Sequence, residues 1–324
     1  MARPMPQPVR TIVWAFALAM KTGLMKGPVA VINQPTAQRL ARKHPTRFAG
    51  KVDTSIKTWD DMVDGRGGPI PVRVYTRPDL QPGAPGILFI HGGGFVDGGL
   101  DFTDNIQRGL AKRTGYVVVG VSYRLAPEDP FPAGLQDCQD VLQWMVDKQP
   151  QGLDPDRLEV GGESAGGNLA AAVVIANRDG AGLSIRHQTI IYPFTDTTLS
   201  SSDWDHSTMP GVSRSAGEMM VKLYGGEEKD NPLVSVLHAD LAGLPPAMVI
   251  SCEHDALKTD SINYAEALDA AGVETYHRHY DNMPHGYLVM PGIIKEAVTS
   301  LDEIAVEIQK YLGPARVVAK PAAD

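Results

Sequence analysis

Hydrophobic and polar positions divide the chain near residue 51. Before it, apolar residues recur in amphipathic, helix-like stretches broken by Pro28, Pro35 and Pro45, with no strand alternation. After it, Val52, Thr54 and Ile56 alternate with polar neighbours, and Asp64-Gly65-Arg66-Gly67-Gly68 marks a turn ahead of residues 70–75. That pattern predicts an antiparallel hairpin at a sheet edge. Short apolar runs with glycine-rich exits at residues 86–91, 116–122 and 158–162 predict buried strands, and further strands are expected at 187–192, 247–252 and 275–280. Helices are expected over 104–114, 133–148, 165–177, 260–271 and 293–312. In the second of these, Leu135, Cys138, Val141, Leu142 and Met145 fall at helical spacing. Strands alternating with helices give an α/β class, a mainly parallel sheet covered on both faces.

Residues 195–237 interrupt the rhythm, rich in Ser, Asp and Gly with one helical patch over 216–224. A structureless loop of that length is unusual in a compact domain, so an inserted lid is expected. The organisation that follows is cap helices over 1–50, a catalytic domain over 51–194 and 238–316, a cap insertion over 195–237, and a disordered tail over 317–324.

Composition narrows the function. At 324 residues, 43% hydrophobic and 21% charged, the chain suits one large α/β domain with an insertion. A net charge of −8 supplies no basic field for nucleic acid. The one basic stretch, Arg39, Arg42, Lys43, His44 and Arg47, reads as a solvated helix face. Cys138 and Cys252 lack the spacing of a disulfide framework or a metal site, so inert buried thiols and a reducing, cytoplasmic setting are expected. Residues 12–20 form an apolar run, far short of the roughly 20 residues that span a bilayer. A lid or surface-anchoring cap helix is the leading reading of this segment, and membrane contact is not expected. The alternatives are secretion, with a cleavage site near Ala17-Leu18-Ala19, or loose membrane association through residues 9–32.

Candidate chemistry sits at strand exits. Gly162-Glu163-Ser164-Ala165-Gly166 follows an expected strand and opens an expected helix. A serine there lies on a sharp, strained turn, where a flanking Cβ would meet neighbouring backbone and where Oγ is lifted clear of the sheet. His91-Gly92-Gly93-Gly94-Phe95 leaves another strand. Acyl transfer develops an oxyanion, which bare glycine N–H groups can approach; losing one such donor costs about 100–1,000-fold in turnover. No GK[ST] element follows to suggest phosphate binding. A serine nucleophile needs an acid and then a histidine downstream. Of the later histidines, His285 occupies a post-strand loop, in Asn282-Met283-Pro284-His285-Gly286-Tyr287. Asp255 follows the strand expected at 247–252. Glu253 and Asp260 compete with it, although Asp260 reads more naturally as a helix cap.

These residues resemble the hormone-sensitive-lipase-like carboxylesterases, bacterial family IV of the α/β-hydrolase fold. The resemblance rests on residues 91–95, Tyr123-Arg124-Leu125-Ala126-Pro127-Glu128, residues 162–168, and the Asp255 and His285 segments. Phe131-Pro132-Ala133 and Gly243-Leu244-Pro245-Pro246 extend it over residues 52–312. It implies a mostly parallel eight-stranded sheet with helices on both faces and a small helical cap. It also implies a triad of Ser164, Asp255 and His285, and an oxyanion hole from the N–H groups of Gly93, Gly94 and Ala165. Glu128, Tyr123 and Glu163 would support the site, and His91 would brace the glycine loop. There are departures: Ala256 stands where proline is common, Glu163 where Asp is common, and Tyr287 where Phe is common, bringing a hydroxyl near the acyl or alcohol pocket.

The implied reaction is hydrolysis of short- to medium-chain carboxylic esters of small molecules, with no metal or organic cofactor. Relatives of this kind often pair as homodimers through the last strand and neighbouring helices, and the same expectation carries over here. An amidase, lactonase or arylesterase using the same groups stays open. A non-catalytic ligand receptor is the rival of another class, and the retained His285 speaks against it.

Overall fold

The computed structural model describes residues 4–7, 10–11, 49–207 and 212–315. Nearly all of the cap helices expected over 1–50, and the tail expected over 317–324, lie outside the described residues. Eight strands form one sheet: β1 (Lys57–Gly65), β2 (Gly68–Thr76), β3 (Ala84–Ile90), β4 (Val117–Val121), β5 (Leu153–Glu163), β6 (Ile185–Ile191), β7 (Ala247–His254) and β8 (Thr275–Pro284). Their order is β1-β2-β4-β3-β5-β6-β7-β8. The hairpin β1–β2 and the pair β2–β4 are antiparallel, and every pairing from β4 through β8 is parallel. The helices are α1 (Asp104–Thr114), α2 (Ala133–Lys148), α3 (Ala165–Asp179), α4 (Asp203–His206), α5 (Arg214–Tyr224), α6 (Lys258–Ala270) and α7 (Glu296–Leu312).

Period-two alternation explains why both faces are covered. In β3, Leu88 and Ile90 enter one hydrophobic cluster while Ile87 and Phe89 enter the other; in β4, Val117, Val119 and Val121 join the first and Val118 the second. Leu135 and Met145 of α2, Leu169 and Val173 of α3, and Tyr264 and Leu268 of α6 complete the first cluster. Ile106 and Leu110 of α1, with Leu301, Ile304 and Ile308 of α7, complete the second. Cys138 and Cys252 are free and buried in these layers, and burial pushes both thiol pKa values well up.

Several boundaries differ from the sequence expectation. The first strand begins at Lys57, beyond the alternating Val52, Thr54 and Ile56; Val52 is 62% exposed. Only Val63 of β1 is buried, so this edge strand carries almost no hydrophobic signal of its own. β5 starts at Leu153 rather than 158, its first half masked by the polar residues Asp154, Asp156 and Arg157. α7 starts at Glu296 rather than 293, because a 3-10 turn over Tyr287–Val289 and Pro291-Gly292 come first. α6 is capped by Leu257, which places Asp260 inside its first turn instead of at the cap.

The described residues of 195–237 leave the sheet after β6 and fold back against it with α4 and α5. The Tyr224 ring stacks on Phe95 at 3.9 Å, and the Phe131 N–H donates to the Tyr224 carbonyl at 2.9 Å. Asn168 Nδ2, from α3, donates to the carbonyls of Phe194 and Val234 at 2.7 and 2.8 Å. Among the described residues, no helix is long and apolar enough to cross a membrane.

Candidate active site

β5 ends at Glu163 and α3 begins at Ala165, so Ser164 alone makes the turn between them. Its backbone has φ 58° and ψ −123°, a conformation that costs a non-glycine residue about 1–3 kcal/mol. Three hydrogen bonds hold it there. The Ser164 N–H donates to the Ile191 carbonyl at 2.9 Å, and its own carbonyl accepts from Asn168 and Phe194 N–H at 3.2 and 3.3 Å. The flanking glycines answer a demand for space. A Cβ on Gly162 would collide with the Gly166 carbonyl, and one on Gly166 with the carbonyls of Ile90 and His91.

Asp255 follows β7 directly and His285 follows β8 directly. His285 Nε2 lies 2.9 Å from Ser164 Oγ, and Nδ1 lies 2.8 Å from Asp255 Oδ2. The other carboxylate oxygen, Oδ1, accepts the Leu257 N–H at 2.9 Å, which fixes Asp255 without the proline common at 256. Burial is the largest influence on His285 and disfavours its charged form. The charge and hydrogen bond of Asp255, joined by the charge of Glu163, outweigh it and leave the imidazole pKa above its ordinary value. Tyr192 meets the imidazole edge-on at 4.8 Å.

The glycine loop leaves β3 beside this chain of hydrogen bonds. Gly93 and Gly94 have φ of 114° and 63°, open to glycine at little cost. The N–H groups of Gly93, Gly94 and Ala165 donate no hydrogen bond to another described residue. His91 is held by a stacked Tyr123 ring at 4.3 Å, and its carbonyl accepts the Tyr123 hydroxyl at 3.0 Å. Glu163 Oε1 accepts the Gly92 N–H at 2.7 Å.

One expected support, Glu128, and the expected direction of the Tyr287 hydroxyl differ in the structure. Glu128 is exposed on a turn and makes no hydrogen bond with the described residues; the segment is held instead by Arg124, whose guanidinium pairs with the buried Asp137 at 2.8 Å. The Tyr287 hydroxyl donates to Ser300 Oγ on α7 at 2.9 Å, so it faces the helix and not an acyl or alcohol pocket. The competing acids are also engaged. Glu253 lies 3.2 Å from His279 and 3.7 Å from Lys258, and buried Asp260 accepts the Asp196 N–H at 3.2 Å.

A second serine has similar company. Ser251 Oγ lies 2.8 Å from both His279 Nδ1 and His277 Nε2, with Glu253 behind His279. Yet Ser251 is fully buried within β7, on no strained turn and beside no glycine loop. Hydrogen-bond order alone does not make a nucleophile. Sequence reasoning misses this cluster, and it misses the contact of Tyr192 with His285; both depend on strand register, which leaves no local motif. It places Met220 in the lid but not its contact: a Cβ on Gly94 would fall 2.6 Å from the Met220 Sδ.

Known proteins resemble this chain closely. Residues 87–289 match the alpha/beta hydrolase fold family. The chain is 38% identical over 246 residues to the carboxylesterase NlhH of Mycobacterium tuberculosis, a match covering 74% of this chain and 76% of that protein. It is 31% identical over 304 residues to an ethyl acetate hydrolase of Pseudomonas putida, covering 88% and 92%. A solved hyperthermophilic esterase from the archaeon Pyrobaculum calidifontis shares its fold with a TM-score of 0.86 at 30% identity, covering 95% of this chain and 99% of that one.

Proposed function

This chain belongs to the alpha/beta hydrolase fold family and is a carboxylic ester hydrolase, and we propose that Ser164, His285 and Asp255 carry its reaction. Within that fold it falls in the hormone-sensitive-lipase-like branch. Ser164 Oγ attacks the ester carbonyl carbon as its proton passes to His285 Nε2. Asp255 holds the Nδ1–H, sets the tautomer and stabilises the imidazolium. The oxyanion rests on the N–H groups of Gly93, Gly94 and Ala165. Collapse breaks the bond to the alcohol, which leaves with the proton from His285. Water, deprotonated in turn by His285, then releases the acid from Ser164. The observation that carries this reading is the unbroken chain from Ser164 Oγ through His285 to Asp255, at 2.9 and 2.8 Å, on a strained serine.

The pH dependence has a definite sign. Protonated His285 cannot accept the serine proton, so kcat/KM falls as pH drops through its pKa. With that pKa raised, the acid limb lies above the ordinary imidazole value. A profile that stays flat through imidazole titration contradicts the role of base.

The substrates, on this reading, are small-molecule esters of short to medium acyl chain, and the described part of residues 195–237 forms a cap over the site. Met220 pressed against Gly94, with Phe95 stacked on Tyr224, supports a pocket closed near the glycine loop. The name of the Pseudomonas putida relative points the same way. In a series of nitrophenyl esters kcat/KM should peak at short to medium chains, and a peak at long chains would overturn the assignment. Met220→Ala, which removes the thioether, should move the peak towards longer chains.

A further inference from the structure

One carboxylate touches both halves of the site. Glu163 is the last residue of β5, immediately before Ser164, and its side chain reaches the glycine loop to accept the Gly92 N–H at 2.7 Å. It is 2% exposed. The fit has no slack, since a Cβ on Gly92 would fall 2.7 Å from the Glu163 carboxyl carbon and closer still to Oε1. Glu163 is hydrogen-bonded to Gly92 after β3 and stands next in the chain to Ser164, whose Oγ lies 2.9 Å from His285 Nε2 after β8. The charges of Glu163 and His285 act on each other, and the Tyr123 and Tyr192 hydroxyls also feel the carboxylate. Of these, His285 is the one that gains a positive charge in the proposed reaction.

A buried carboxylate is costly to ionise unless something nearby stabilises the charge. A loop clamp alone would not require that charge, because a glutamine oxygen also accepts an N–H, although more weakly. We propose that Glu163 is a positioning residue with an electrostatic role: it fixes the glycine loop to the serine turn and supplies a second negative charge that steadies the His285 imidazolium. This rests on the reading of Ser164, His285 and Asp255 as a triad. Burial leaves the Glu163 pKa above its ordinary value, offset only in part by the charge of His285 and by the Gly92 N–H, so its charge and that of His285 are mutually dependent.

The test compares kcat/KM against pH for the full chain and for Glu163→Gln and Glu163→Asp, with fluorophosphonate labelling of Ser164 followed in each. Glu163→Gln keeps an acceptor for Gly92 but no charge. It should lose about tenfold in kcat with KM little changed, and its acid limb should move down by about one pH unit, the low end for a nearby opposite charge. Glu163→Asp, which keeps the charge, should hold its acid limb near that of the parent. If Glu163→Gln does not fold, Glu163→Ser carries the same pH measurement. An acid limb that coincides with the parent's in the uncharged variant overturns the electrostatic role, whatever happens to kcat. Failure of the parent protein itself to label at Ser164 would instead overturn the triad.

Discussion

Ser164→Ala is expected to lower kcat by about a million-fold, because nucleophile, base and acid act as one unit and the loss of one removes most of what all three supply. Binding of an unreactive substrate analogue should change little, since Oγ is one atom in a pocket otherwise left intact. The fold should survive as well. Alanine carries the same Cβ as serine at φ 58°, and the hydrogen bonds that hold this turn come from the backbone of Ser164, Ile191, Asn168 and Phe194. A residual rate of about a thousand-fold over water is expected from the oxyanion donors and binding alone. Stopped activity in a protein with an unchanged unfolding midpoint is the expected pair of results. Near-parent turnover in the alanine variant would remove Ser164 from the mechanism.

Asp255→Asn should cost about ten-thousand-fold in kcat with the backbone undisturbed. The reason lies in the two oxygens of Asp255. Oδ1 accepts the Leu257 N–H, so an asparagine would place its carbonyl oxygen there and turn its NH2 towards His285. Facing a donor, Nδ1 must become the acceptor, and the ring proton moves to Nε2. That nitrogen lies 2.9 Å from Ser164 Oγ and could then no longer take its proton. The measurement is kcat for a nitrophenyl ester beside the rate of fluorophosphonate labelling, and both should fall together. If turnover falls while labelling proceeds at the parent rate, Asp255 does not act through the histidine.

Much of the site is legible in the sequence because its demands are local. A strand that turns through one residue into a helix leaves no room for a Cβ at Gly162 or Gly166, and that steric demand is written directly as glycine. The same holds for the positive φ of Gly93 and Gly94. The parallel sheet is legible because β3 and β4 are buried on both faces and read as unbroken apolar runs. Asp255 and His285 can be placed because each directly follows a strand.

What escapes the sequence depends on geometry between distant elements. β1 lies at an edge with a single buried residue, so its limits are invisible in the pattern. The expectation for Glu128 carries over a residue type but not its direction, and the turn at 126–128 points it to solvent. The partner of the Tyr287 hydroxyl is decided by where α7 crosses, through Ser300. Ser251 meets His279 only because β7 and β8 pair in one particular register. The contact of Met220 with Gly94 needs α5 to fold back over the glycine loop.

The most direct test of the serine mechanism is to inactivate the protein with a fluorophosphonate and map the modified peptide by mass spectrometry. A single adduct on Ser164, formed in step with loss of activity and absent from Ser164→Ala, is the expected result. An adduct on Ser251 or any other residue, or lost activity with Ser164 unmodified, would contradict it.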